Sequence, residues 1–296
     1  MKRPIRVVVN PAAGNGRARH AVVAASRKLR SLGADFEIVR TLEPGHATVL
    51  ARDFIAAEPE GVLAVVGGDG TVHEAIQAFG TSPGRGLLAF LPAGGGNDAH
   101  RTIGSPKGIE RAAAVAVFGA EKRLDLGIFA GEFFFNGVGI GLDGETAARS
   151  KRFTRLRGLP AYLAAAIATV AVYEKPVLRL EGGTTRWEGR GLLCAIGNGP
   201  SCGGGFLLTP DASASDGLLD ACVFGDFGRL ETLANLPKAL YGGHRRHPKA
   251  AFARSPEFTL WADRPLFAHA DGEIRRPDFP VSFSVAPGAI RVLAEA

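Results

Sequence analysis

The chain passes from an apolar, β-branched run, Val65-Val66, into Gly67-Gly68-Asp69-Gly70-Thr71, and a helix-compatible segment over residues 72–79 follows at once. Strand, glycine turn and helix in immediate succession is how an α/β protein offers backbone N–H groups to a phosphate. Glycine lets the main chain approach a ligand closely and adopt positive φ. A plain strand–helix turn needs neither two consecutive glycines nor a carboxylate at its centre, so the segment predicts a phosphate-binding turn.

The surrounding sequence supplies the frame for such a turn. Short apolar strands are predicted over residues 5–9, 35–40, 62–66 and 87–91, and helices over 18–32, 47–58, 71–79 and 108–118. This alternation predicts a doubly wound parallel sheet with helices on both faces, whose ligands gather at the carboxyl edge of the strands. Beyond Asp125 the pattern becomes strand-rich, around Phe133, Val177, Leu192, Leu218, Phe258 and Val281. Helical patterns remain only near 159–173 and 229–241. The expectation is an α/β domain over 1–127, to which residues 288–296 return as a strand, and a mainly antiparallel β domain over 128–287.

Composition narrows the function classes. The 296 residues are 46% hydrophobic, ample for two cores, and 40 glycines without a collagen-like period imply many tight turns. A net charge of +6 suits anionic partners such as nucleotide phosphates or an acidic membrane face. Cys194, Cys202 and Cys222 have no metal-ligand spacing and read as core residues in a reducing compartment. No signal peptide is expected, and the uncharged stretch 158–173 is too short for a confident membrane span. Without a Gly-Lys pair, a Walker A loop is excluded.

Two further segments join the first. Val7-Val8-Val9-Asn10-Pro11-Ala12-Ala13-Gly14-Asn15-Gly16 and Phe90-Leu91-Pro92-Ala93-Gly94-Gly95-Gly96-Asn97-Asp98 are again strands running into glycine turns. Together the three resemble the motifs of the diacylglycerol kinase catalytic domain family, which includes bacterial lipid kinases and is related to sphingosine kinases. The resemblance extends over nearly the whole chain.

That resemblance implies an ATP-dependent kinase that uses Mg²⁺ and passes the γ-phosphoryl group to a lipid hydroxyl, of diacylglycerol or a related lipid. The nucleotide would be held by Asn10, Pro11, Ala13, Gly14, Thr41, Gly67, Gly68, Asp69, Gly70, Thr71, Glu74, Gly94, Gly95, Asn97 and Asp98. Gly95 stands where the family carries a Thr, so one hydroxyl is missing. Asp69, Asp98 and Asp125 would form a carboxylate network for Mg²⁺. The Asp216-Gly217-Leu218-Leu219-Asp220 segment resembles a structural Mg²⁺ loop with Ser213, Asp216 and Leu218 as ligands. Asp271-Gly272-Glu273 resembles the catalytic Asp-Gly-Glu, with Glu273 as general base and Asp271 orienting it or sharing the role; His269 beside it reads as structural.

The implied setting is cytoplasmic and peripheral to a membrane, with a lipid partner, no nucleic acid and a homodimer left open. Basic residues at 149–157, interleaved with Phe153 and Leu156, suit an anionic membrane face, and a second basic cluster lies at 244–247.

Two patterns mislead. Gly139, Gly141 and Gly144 satisfy G-x-G-x-x-G, but Leu163 stands where a dinucleotide fold needs its acid. Gly199-Pro200-Ser201-Cys202-Gly203 satisfies G-x-S-x-G, but the glycines after it oppose the helix that a nucleophile elbow requires. The alternatives are an NAD kinase-like phosphotransferase, which shares Gly-Gly-Asp-Gly-Thr, and a noncatalytic nucleotide-binding module at a membrane surface.

Overall fold

A computed structural model describes residues 3–150 and 159–295. The chain divides into two compact units, Met1–Leu126 with Ala286–Ala296, and Gly127–Val285.

The first unit is built as the β–α alternation predicts: β1 (Ile5–Val9), α1 (Arg17–Ser31), β2 (Phe36–Arg40), α2 (His46–Ala57), β3 (Val62–Gly67), α3 (Asp69–Gly80), β4 (Leu87–Pro92), α4 (Ala99–Ile103) and α5 (Ile109–Phe118), leading into β5 (Ala120–Phe129). The parallel order is β2-β1-β3-β4, with Val9 level with both Arg40 and Val66. Every residue of β3 is buried, as befits a strand covered on both faces. Val7, Val9, Ala64 and Val66 face the small residues of α1 and α5, among them Ala18, Ala25 and Ala113. The chain leaves β1 in one direction to form β2 and returns past β1 to form β3. The switch point, where α/β sheets bind ligands, therefore lies between the ends of β1 and β3.

The second unit comprises β6 (Glu132–Phe134), β7 (Gly137–Gly141), α6 (Leu142–Ser150), α7 (Leu159–Val172), β8 (Val177–Gly182), β9 (Thr185–Arg190), β10 (Leu193–Gly197), β11 (Leu219–Phe224), α8 (Arg229–Asn235), β12 (Ala250–Ser255), β13 (Glu257–Ala262), β14 (Ala268–Ala270) and β15 (Glu273–Arg275). The first half of β16 (Val281–Ala294) also belongs to it. One antiparallel sheet runs β12-β11-β10-β7-β14-β15, and another contains β16-β13-β8-β9. Phe134, Ile140, Ile196, Leu180, Phe258 and Phe283 fill the space between them.

The second half of β16 runs parallel to β4, with Val292 opposite Leu88. Arg291 fastens it there through Glu60 at 2.9 Å and Glu121 at 2.7 Å. The strand of which this half is part begins at Val281 and ends at Ala294, where a segment over 288–296 was expected. The helix expected over 229–241 stops at Asn235 and tightens into a 3-10 segment, Leu236–Leu240. Pro237 there lacks the N–H and crowds the preceding turn.

Candidate functional site

In the first unit three glycine turns converge at the carboxyl edge of β1, β3 and β4. The Asn10 side-chain amide donates to the Thr71 hydroxyl at 3.2 Å, and the Asn10 carboxamide oxygen accepts the N–H of Ala12 at 3.0 Å. Gly67 carries no side chain because a Cβ there would lie 2.5 Å from the Thr71 hydroxyl. A Cβ on Gly94 would lie 2.5 Å from the Gly68 Cα and 2.7 Å from the Asn97 Oδ1, so the second and third turns touch backbone to backbone. Asn97, in the left-handed region at φ 55°, accepts the Gly94 N–H at 3.0 Å and donates back to its carbonyl at 3.1 Å.

Arg17, not singled out in the sequence, binds two of the turns together. Its guanidinium donates to the carbonyls of Gly14 at 3.0 Å and Gly94 at 2.9 Å. Its one sequence signal is its place as the first residue of α1 after a glycine turn. The cluster also includes the N-terminus of α3, where the helix dipole favours an anion. A Cβ on Gly95 would meet nothing within 4 Å, so the rim above the third turn is open. The glycine cradle fits a polyphosphate.

The remaining residues expected at this site are placed as follows. Thr41 is buried just past β2, its N–H bonded to the Val9 carbonyl at 2.9 Å. Glu74 accepts the N–H of Ala47 at 3.1 Å, at the start of α2. The Asp69 carboxylate accepts the N–H of Ala99 at 3.0 Å and so caps the short α4. Asp98 is paired with Arg101 at 2.6 Å, and Asp125 accepts the Gly288 N–H at 2.7 Å. Among the described residues no three His, Cys, Asp or Glu side chains converge as a metal group, in contrast to the expected network of Asp69, Asp98 and Asp125. Mg²⁺ on a nucleotide needs only one or two carboxylates, since phosphates and water supply its other ligands. Asp69, at the centre of the glycine cluster, fits that requirement.

In the loop expected to hold a structural Mg²⁺, an arginine bridges two carboxylates. Arg254, directly across the β11–β12 ladder from Asp220, pairs with Asp216 and reaches Asp220 at 3.3 Å. The other Asp216 oxygen accepts the Leu218 N–H at 3.1 Å, and the Ser213 hydroxyl is paired with that of Ser215 at 3.2 Å. A guanidinium thus stands beside both carboxylates of this loop.

In the second unit the Asp-Gly-Glu motif forms a two-residue hairpin turn. Asp271 at φ 50° and Gly272 at φ 90° join β14 to β15, with Ala270 opposite Glu273. Successive positive φ values match the Asp-Gly preference of such turns. The buried Asp271 carboxylate accepts the N–H groups of Phe135 at 2.7 Å, Asn136 at 2.8 Å and Gly137 at 3.2 Å. It holds the backbone, leaving Glu273, half-buried at the start of β15, as the outer carboxylate of the motif.

Beside this turn lies a buried network that the sequence motifs do not announce. His269 pairs with Asp143 at 3.0 Å, and the Tyr162 hydroxyl donates to the other Asp143 oxygen. Burial raises the Asp143 carboxyl, but His269 and Tyr162 outweigh it and hold it below the usual range. Burial and Asp143 push the Tyr162 hydroxyl well up. Asp143 is therefore the charge and Tyr162 the donor. Both line an apolar cavity walled by Leu142, Leu193, Phe206, Phe224 and Leu236.

The misleading patterns resolve physically. The G-x-G-x-x-G segment is β7 leading into α6, but both neighbours of β7 are antiparallel. Ser201 is fully buried, and Gly203, Gly204 and Gly205 that follow all have positive φ, so no helix carries it. The 244–247 cluster is partly internal: His244 is buried against the Leu208 carbonyl at 3.1 Å, and Arg245 pairs with Asp211 at 2.5 Å. Most of the 149–157 cluster lies outside the described residues.

Comparison with known proteins agrees with this arrangement. Residues 4–129 match the diacylglycerol kinase catalytic domain, and residues 136–294 match the YegS C-terminal NAD kinase beta sandwich-like domain. A Pseudomonas aeruginosa protein named "Probable lipid kinase YegS-like" is 33% identical over 95% of this chain and 90% of its own length. A relative of the same name from Pseudomonas fluorescens is 33% identical over 92% of this chain and 89% of its own. A crystal structure of a Bacillus anthracis diacylglycerol kinase superposes with a TM-score of 0.79, at 22% identity, covering 99% of this chain and 97% of that one, which is a likeness of fold. The chain belongs to the YegS-like lipid kinases of the diacylglycerol kinase family.

Proposed function

We propose that this chain transfers the γ-phosphoryl group of ATP to the hydroxyl of a membrane lipid, diacylglycerol or a relative, with Glu273 as the general base. The observation that carries the reading is the pinned Asp271-Gly272-Glu273 hairpin, linked through His269 and Asp143 to an apolar cavity. A carboxylate whose backbone is fixed, in the unit that also holds an apolar cavity, suits proton removal from a lipid hydroxyl.

The first unit's task is to hold the nucleotide. Backbone N–H groups of the three turns and of α3 receive the phosphates, while Asn10, Arg17, Thr71 and Asn97 keep the turns in register. Asp69 would hold a Mg²⁺ ion together with the phosphates, and the ion would supply charge neutralisation there. Asp271 orients the hairpin, and Glu273 takes the acceptor's proton as the phosphoryl group arrives. Because the acceptor is a membrane lipid, the chain works as a peripheral protein. No helix among the described residues is long and apolar enough to cross a membrane, and α7 exposes Ile167 and Val172.

The test is transfer from γ-labelled ATP with Mg²⁺ to a panel of lipids in mixed micelles, with NAD as a further acceptor. Label on a lipid supports the reading and names the acceptor. Label on NAD, or on nothing while nucleotide still binds, overturns it. Flotation with anionic vesicles tests the peripheral contact, and a protein left at the bottom of the gradient would contradict it.

A further inference from the structure

We propose that His269 is a positioning residue, which fixes the Asp271–Gly272 turn through its Nδ1 and thereby sets the direction of Glu273. The inference rests on the reading of Glu273 as the base. His269 is buried at 1% exposure in β14, two residues before the turn. Its Nδ1 accepts the N–H of Gly272 at 3.3 Å, and its Nε2 lies 3.0 Å from Asp143 Oδ2. An imidazole nitrogen that accepts an N–H carries no proton, so the proton sits on Nε2 and is donated to Asp143. The two bonds fix tautomer and ring plane together.

The rest of the pocket is shaped to keep that ring in place. The second Asp143 oxygen is taken by Tyr162, so the carboxylate cannot turn away. Gly139, on the neighbouring strand, leaves room for the pair: a Cβ there would collide with Asp143 and come within 2.7 Å of His269 Nε2. A Cβ on Gly144 would strike the Phe267 carbonyl, so α6, which carries Asp143, lies hard against the segment entering β14. The spacing of glycines that imitates a dinucleotide motif thus clears space for an Asp–His pair.

The hairpin is gripped from two sides. On the aspartate side, Asp271 accepts three N–H groups from residues 135–137. On the glycine side, His269 accepts the N–H of Gly272. Gly272 is bonded directly to Glu273, so any loosening there passes to the base. Misplacing a reacting group by about 1 Å costs on the order of 100-fold in rate.

Two conservative variants separate this role from simple packing. In His269→Asn the amide oxygen falls near the position of Nδ1 and retains the Gly272 bond. In His269→Gln the terminal amide falls near Nε2, retaining Asp143 and losing Gly272. The full-length chain is assayed for kcat, ATP KM and melting temperature, beside Glu273→Ala. The expected result is a kcat within about threefold of wild type for His269→Asn and at least about tenfold lower for His269→Gln, at unchanged ATP KM. Equal kcat in the two variants, or losses that follow melting temperature alone, overturns the proposal. Full activity in Glu273→Ala instead overturns the base assignment, and the positioning role with it. A measurement on the wild type stands apart from variant folding. The Gly272 amide must exchange slowly with solvent, and free exchange there contradicts the proposal.

Discussion

The two units carry their candidate functional residues on different material. In the first unit the proposed ligand-facing surface is main chain: turns at Gly14, at Gly67 and Gly68, and at Gly94, packed closely enough that a Cβ at each of these positions would meet a neighbour. In the second unit it is a side-chain network, Tyr162–Asp143–His269, with Asp271 grasping three backbone N–H groups. A phosphate-binding surface made of backbone tolerates changes in side chains and fails when atoms are added. A surface made of buried polar side chains fails when any member is removed, because each leaves partners unsatisfied. The variants below push on that difference.

The largest effect is expected on the side-chain half. Asp271→Ala strands three N–H groups, at a cost on the order of 3–5 kcal/mol to the second unit. Chemical denaturation checks this, and a loss under about 1 kcal/mol would break the comparison. Adding a single methyl on the backbone half comes next. Gly94→Ala forces a Cβ to 2.5 Å from the Gly68 Cα, and ATP affinity is expected to fall about tenfold or more while the second unit melts unchanged. Calorimetric titration with ATP would register it.

Smaller effects sharpen the electrostatic side. The Asp143 carboxyl is held below its ordinary 3.8. Its contribution to stability is therefore full above that value and is lost as pH falls through the lower folded value. Asp143→Asn should flatten this acid-side loss, and a pH series of melting temperatures tests it. At the Asp216 loop, where Arg254 supplies the positive charge, a chelator should leave the melting temperature of the nucleotide-free protein unchanged. Arg254→Ala should cost about 1–2 kcal/mol, since Asp216 is partly exposed but the buried Asp220 loses its guanidinium partner. A melting temperature that rises with Mg²⁺ in wild type would restore a metal to that loop. The smallest effect is a gain: Gly95→Thr meets open space, and its hydroxyl is expected to tighten ATP binding about fivefold at most with no loss of stability.

The same difference in material decides what was readable beforehand. Glycines at Gly67, Gly68 and Gly94 announce themselves because backbone-to-backbone contact leaves a compositional mark beside each strand. The α/β frame was legible through the buried apolar runs of β1, β3 and β4. Arg17 was marked only by its place at the start of α1, which says nothing of the Gly94 carbonyl that it reaches 77 residues away. Asp143 and His269 are 126 residues apart, and only the β7–β14 pairing brings them together. The helix α4 starts on a cap borrowed from Asp69, 30 residues earlier, so no local signal marks it. Arg254 against Asp216 is likewise a product of strand register.

The most direct test of the account compares ATP binding with phosphoryl transfer in Glu273→Gln. If nucleotide is held by the first unit's backbone and the chemistry by the second unit's carboxylate, ATP affinity stays at its wild-type value. Transfer to lipid then falls by about 100- to 10,000-fold. Transfer at the wild-type rate, or ATP affinity lost together with transfer, would contradict that division of labour.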